Sequence, residues 1–209
     1  MNKTIKVIAI SLLIIIVLFA LLLILKNKYN NYKNYNIGNN IINKNLDEKE
    51  KYILGINSYD AIIEATINSN KNTNKYLIKQ EVNNDEIRQE VLEPENVKGL
   101  KISYENNTLT VYNSKIELKK IYENYPYVTD NVLFFSDFIE QYKNLKEKGL
   151  TSIEETEGNI ILNIYNKTHN QIEQQLFVRS IDGKPDHIIR KNNNNKIMVY
   201  ILYKEINIK

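Results

Sequence analysis

Between Ser58 and Val91 the sequence alternates apolar and polar residues in three successive segments, and this period of two limits the available folds more than any other feature. In "SYDAIIEATINSN", Tyr59, Ala61, Ile63, Ala65 and Ile67 share one side, while Asp60, Glu64, Thr66 and Asn68 mostly share the other. Side chains repeat every second residue only in a β-strand, and one apolar side means one buried face. "NKNT" is a turn. "KYLIKQEV" then repeats the pattern through Tyr76, Ile78, Gln80 and Val82, and after "NND" so does "EIRQEVLE" through Ile87, Gln89 and Val91. Pro94 has no N–H for a ladder and ends that strand, and Gly99 frees the backbone to restart. Leu100, Ile102 and Tyr104 form the next face, Asn106-Asn107 suits a tight hairpin turn, and Leu109 and Val111 lie on the return strand before "NSK" and "IELKKI".

The period then changes. "DNVLFFSDFIEQYKNLKEKG" places Phe134, Phe135, Phe138, Ile139, Tyr142 and Leu145 on one helical stripe, with Asp130 as N-cap, Lys146 and Lys148 near the negative end, and Gly149 as the stop. A shorter helix is expected from Asp47 to Leu54, ended by Gly55. Strands resume with "TSIEETE", a turn at Gly158-Asn159, "IILNIYN", "QIEQQLFVRS", a "DGK" turn, "PDHIIRK", an "NNNN" turn and "KIMVYILYKEI". This order rules out regular βαβ winding. It predicts an α+β fold with nine or ten strands in a curved antiparallel sheet and helices covering one face.

Ahead of this body, "VIAISLLIIIVLFALLLIL", residues 7–25, has one weakly polar member, Ser11. As a helix it spans about 28 Å, enough for a hydrocarbon core of about 30 Å. A cleaved signal peptide needs a shorter run and a small-x-small site, and a lipoprotein signal needs a cysteine; neither is present. The expected layout is a transmembrane signal-anchor over 1–26, an Asn- and Tyr-rich linker over 27–46 and a domain over 47–209. Lys3 and Lys6 favour an inside N-terminus, while Lys26, Lys28 and Lys33 oppose it, so charge nearly cancels as a guide to orientation. A very short N-terminal tail places the body on the extracytoplasmic side.

The net charge of +3 is carried by Lys3, Lys6 and Lys26, so the rest of the chain is balanced and has no long-range field to draw nucleic acid. With no cysteine there is no disulfide, thiolate nucleophile or thiolate metal site. His169 lies in a turn and His187 in a strand beside Asp186, without metal-site spacing. Glu154, Glu155 and Glu157 read as a solvated strand end rather than a glycosidase pair. No phosphate loop or nucleophile elbow occurs. No catalytic, cofactor-binding or metal residue is therefore assigned, and no partner-binding residue is singled out.

Two stretches are more specific. "LEPENVKGL" and "YENNTLTVYNS", within "SNKNTNKYLIKQ…EQYK", resemble the clostridial germination lipoproteins of the GerS type, within the wider class having the LolA-like fold; the resemblance spans about residues 50–206. It implies a half-open antiparallel barrel capped by helices. It also implies a non-enzymatic, membrane-held protein of spore formers that binds a cell-wall amidase (an N-acetylmuramoyl-L-alanine amidase) during sporulation or germination. The departure is the anchor: a transmembrane segment stands where that family has a lipidated cysteine. The expected role is an extracytoplasmic adaptor for a protein partner, without cofactor. The alternative is a lipid or lipoprotein carrier using the apolar hollow, which a permanent tether disfavours.

Overall fold

The computed structural model describes residues 44–69, 71–84, 86–124 and 133–209. The expected anchor, nearly all of the linker and Asp130 lie outside these residues. Among the described residues, no helix is long and apolar enough to cross a membrane.

Among the described residues eleven strands form: β1 (Ser58–Asn68), β2 (Thr73–Asn83), β3 (Glu86–Glu93), β4 (Leu100–Glu105), β5 (Thr108–Asn113), β6 (Leu118–Tyr122), β7 (Thr151–Thr156), β8 (Asn159–Tyr165), β9 (Ile172–Arg179), β10 (Pro185–Lys191) and β11 (Ile197–Ile208). Two helices accompany them among the described residues, α1 (Leu46–Leu54) and α2 (Phe135–Lys146). The strands make one open antiparallel sheet in the order β6-β5-β4-β3-β2-β1-β11-β10-β9-β8-β7. Two meanders thus meet along β1 and β11, where Ile63 faces Tyr203 and Ala65 faces Ile201. Eleven strands form where the sequence predicts nine or ten, because every turn signal closes its own hairpin.

The asparagines make this possible. Of the seven non-glycine residues with positive φ among the described residues, six are Asn, at 84, 106, 107, 124, 170 and 195. Short Asn side chains tolerate the left-handed region that tight hairpins need. Asn106 and Asn107, at φ 49° and 59°, close the β4–β5 hairpin as a two-residue turn with Glu105 opposite Thr108. The β7–β8 turn is Glu157-Gly158, one residue earlier than expected, because Gly158 takes the positive φ and Asn159 already pairs with Thr156.

The helices share one face of the sheet. Phe134, Phe135, Phe138, Ile139 and Tyr142 are buried against Tyr59, Ile63, Ile160, Leu162 and Ile201, joined by Ile53 from α1. The stripe forms as the sequence predicts. Its start differs: α2 begins at Phe135, and the residue preceding it, Phe134, makes no side-chain cap. The buried Tyr59 hydroxyl of β1 instead accepts from the Phe135 N–H at 3.2 Å, so the sheet satisfies the helix terminus. At the other end Gly149, φ 68°, turns the chain so that Gly149 N–H meets Lys146 O and Leu150 N–H meets Leu145 O.

The charged run "LDEKE" is not simply a solvated helix face. Asn45 caps α1 by accepting from Glu48 N–H at 2.9 Å. Lys49 and Glu50 are buried. Tyr142 donates to Glu50 Oε1 at 2.8 Å, Lys146 pairs with Glu50 Oε2 at 2.5 Å, and Lys49 pairs with Glu155 of β7 at 2.5 Å. These contacts clasp α1 to α2 and to the sheet.

Candidate protein-interaction edge

An open sheet has two edges, and the two differ here. β7 is partly covered: both helices pack against it, Lys49 holds Glu155 and Glu154 accepts from Asn163 at 3.1 Å, while Glu154, Glu155 and Thr156 at its end remain exposed. Among the described residues β6 pairs with β5 alone, and all five of its residues are exposed. A strand at a sheet edge can accept a further strand along its outer side.

β6 is also apolar where it need not be. Ile116 in the preceding turn is 66% exposed, and Leu118, Ile121 and Tyr122 are 48%, 55% and 42% exposed. They are four of the six large hydrophobic residues left exposed among the described residues. Leu118 and Tyr122 share a face with Lys120, and Ile121 shares the other with Lys119, so neither face carries a clean apolar row.

Behind this edge the outer face of the sheet carries a cross-strand row. Lys79 faces Glu90, Glu90 faces Lys101, Lys101 faces Tyr112, and Tyr112 faces Lys119. The row floors a hollow of about 590 Å³ that Arg88, Ser103 and Thr110 also line. Lys79 pairs with Glu81 at 2.6 Å, Lys101 with Glu90 at 3.6 Å, and Arg88 with Glu86 at 3.6 Å. Neither Lys119 nor Lys120 has an ion-pair partner among the described residues.

On the inner face, Ile102, Tyr104, Leu109 and Val111 are half-buried, continuing the apolar surface past the helices. Gln80 and Gln89 sit opposite one another between this region and the core. Gln80 Nε2 donates to Leu133 O at 3.0 Å, while the Oε1 atoms of both glutamines are buried without a hydrogen-bond partner among the described residues. The corner between β3 and β4 fixes the direction of the wing. Gly99, φ 81°, donates to Val91 O, and its own carbonyl accepts from Ser114 Oγ at 3.1 Å. Lys115 pairs with Glu95 at 2.8 Å across the same corner.

The groups with chemical potential lie apart. His169 is exposed in the β8–β9 turn. His187 on β10 holds Asp186 Oδ2 at 2.7 Å, stacks on Phe177 at 4.0 Å and tilts against Tyr200 at 5.4 Å. Burial, followed by the charges of Asp186 and Glu64, raises the Tyr200 phenol above its ordinary value. Glu154 and Glu155 are engaged separately as described, and Glu157 lies in a turn. Among the described residues no three His, Asp or Glu side chains gather as a metal site.

No protein-family model matches the chain, and no curated protein matches it. Solved structures of similar topology exist. One chain of the complex between the CwlD amidase of Clostridioides difficile and the GerS lipoprotein is 22% identical, with 78% of this chain and 93% of that chain covered and a TM-score of 0.49. An uncharacterized conserved protein from Thermus thermophilus is 13% identical, with 78% and 85% covered and a TM-score of 0.48. A LolA superfamily protein from Nitrosomonas europaea is 9% identical, with 78% and 91% covered and a TM-score of 0.36. Likenesses at these levels assign the chain to no family and locate no site.

Residue-level reasoning missed this edge. A signal existed: in "KIELKKIYEN" the apolar residues stop alternating, as expected of a strand with no core to select one face.

Proposed function

We propose that the chain is a membrane-anchored adaptor on the extracytoplasmic side, a LolA-like half-barrel that binds another protein and performs no chemistry of its own. The observation that carries the reading is β6, which among the described residues pairs with β5 alone, with exposed Ile116, Leu118 and Ile121 beside it or on it. Unpaired edges recruit extended segments, and natural proteins usually cover or blunt them. The apolar run 7–25 supports the tether, which raises the adaptor's effective concentration near a membrane-bound partner. The resemblance to GerS-type proteins makes a spore-cortex N-acetylmuramoyl-L-alanine amidase the first partner to test. The test is affinity purification of the tagged full chain from sporulating cells, with quantitative mass spectrometry against a chain truncated after the linker. Enrichment of an amidase is the expected result. Failure to enrich any envelope protein overturns the reading.

One observation favours a second reading. The half-buried inner residues Ile102, Tyr104, Leu109 and Val111 offer an apolar surface suited to an acyl chain. Native mass spectrometry of the purified chain, showing stoichiometric lipid that survives detergent exchange, would establish a carrier or lipid sensor instead.

A further inference from the structure

We propose that the outer-face hollow over β2 to β5 binds a glycan carrying spaced carboxylate groups; this goes beyond the adaptor reading and needs neither a protein partner nor the β6 edge. The hollow holds about 590 Å³, a size suited to a few sugar units. Its lining includes four cations, Lys79, Arg88, Lys101 and Lys119, and two carboxylates, Glu81 and Glu90. The chain after Lys26 is neutral overall, so this positive excess is local. Three hydroxyls stand among the charges. Arg88 faces Ser103, Ser103 faces Thr110, and Lys101 faces Tyr112, which sets these side chains at neighbouring cross-strand positions about 5 Å apart at Cβ.

The central donors are not used up by the protein. Lys79 is held by Glu81 at 2.6 Å, but the ion pairs of Arg88 and Lys101 measure 3.6 Å, beyond hydrogen-bond length, and both side chains are more than half exposed. The Ser103, Thr110 and Tyr112 hydroxyls make no hydrogen bond among the described residues. One guanidinium fork, one ammonium and three hydroxyls complement a carboxylate on a hydroxylated chain. Glu81 and Glu90 accept from ligand hydroxyls and repel a second anion placed close by, which selects spaced charge and disfavours nucleic acid or polyphosphate. The strands β3, β4 and β5 are each paired on both sides, so their backbone groups are taken up by ladders and the ligand is read by side chains alone. A bound acidic peptide would leave its own amide groups unmatched on this face.

The test uses the full chain in neutral detergent micelles and three end-labelled probes. These are hyaluronan hexasaccharide, with a carboxylate on every second sugar, the neutral chitohexaose, and the peptide Glu-Ser-Glu-Ser-Glu-Ser. Fluorescence anisotropy should show the hyaluronan probe binding about tenfold more tightly than either of the others. Arg88→Gln/Lys101→Gln should lose about tenfold for that probe. Lys71→Gln/Lys148→Gln, which removes the same charge at exposed positions outside the hollow, should lose nothing. If Arg88→Gln/Lys101→Gln fails to fold, Ser103→Ala/Tyr112→Phe removes two donors without altering charge and should also lose about tenfold. Equal binding of hyaluronan hexasaccharide and chitohexaose overturns the proposal, as does peptide binding as tight as the glycan. An equal loss in Lys71→Gln/Lys148→Gln overturns it by showing unlocalised charge attraction. Sedimentation showing a wild-type dimer that Arg88→Gln/Lys101→Gln dissociates overturns it in favour of a second copy.

Discussion

Alkaline pH should unfold this domain through three tyrosines. Tyr59 and Tyr142 are 0% and 1% exposed, and Tyr203 is 4% exposed. Burial raises each phenol above its ordinary value; in Tyr142 the Glu50 carboxylate raises it further, while in Tyr59 the Phe135 N–H partly offsets burial. In the unfolded chain a phenol titrates near pH 10. The folded values lie above that, so the stability held by the neutral phenols is fully present below about pH 10 and is lost as pH rises toward the folded values. Each group contributes a slope of about 1.4 kcal/mol per pH unit, so three give about 4 kcal/mol per unit. A domain holding about 5–15 kcal/mol should then unfold within roughly one to four units above pH 10. Tyrosinate absorbance and far-ultraviolet circular dichroism followed through one pH series test this. Three tyrosines should ionise only as the β signal disappears. Complete tyrosinate formation with the β signal intact would refute the reasoning. Tyr203→Phe sharpens the test. The Tyr203 hydroxyl is buried without a hydrogen-bond partner among the described residues. Its removal should cut the alkaline slope by about 1.4 kcal/mol per unit and leave neutral-pH stability equal or higher by about 1 kcal/mol. A loss above about 1 kcal/mol at pH 7 would mean that the hydroxyl is satisfied.

Other perturbations probe separate contacts. Tyr142→Phe leaves Glu50 Oε1 without its 2.8 Å donor and should cost about 1.5–3 kcal/mol in urea denaturation; a cycle with Glu50→Gln should give a coupling of about 1 kcal/mol or more. Phe138→Ala empties a fully buried site under α2 and should cost about 3–5 kcal/mol, read as a lower urea midpoint with unchanged slope. Gly99→Ala meets both a φ of 81° and a Cβ that overlaps Ser114 Oγ, and should cost about 1–3 kcal/mol; Gly99→Ala/Ser114→Ala should recover only the steric part. Leu118→Thr/Ile121→Thr at these exposed positions should change stability by less than about 0.5 kcal/mol, measured by thermal melting.

The strands were legible because each satisfies one local rule. Tyr59, Ala61, Ile63 and Ala65 alternate since a sheet with one buried face admits no other pattern, and Asn106-Asn107 marks its hairpin because few other pairs take two positive φ values. The stripe on α2 was legible for the same reason at a period of 3.6. What escaped was set by tertiary contact. Lys49 and Glu50 look solvated in "LDEKE", yet their burial depends on Glu155, Tyr142 and Lys146, which lie far along the chain. The start of α2 escaped because its first N–H finds Tyr59, 76 residues earlier in the chain, rather than a neighbouring cap. The strand in "IELKKI" was expected, but its place at the edge of the sheet was not, because a single sequence reveals patterns imposed by a core and all five residues of β6 are exposed.

That absence bears on function. The chain order places β6 at the far end of the first meander and β7 at the start of the second, so a single connection links the two edges of the sheet. The helix in that connection, α2, packs back on β7 and β8 rather than on β6. Were stability the only demand, covering either edge would serve, and an exposed apolar strand would be a liability at any concentration that permits aggregation. The helices cover part of the acidic edge, where Lys49 holds Glu155, and among the described residues nothing but β5 pairs with the basic one. If the proposed adaptor role uses this end of the sheet, Leu118→Thr/Ile121→Thr should weaken capture of the partner by the full chain, and unchanged capture refutes that use.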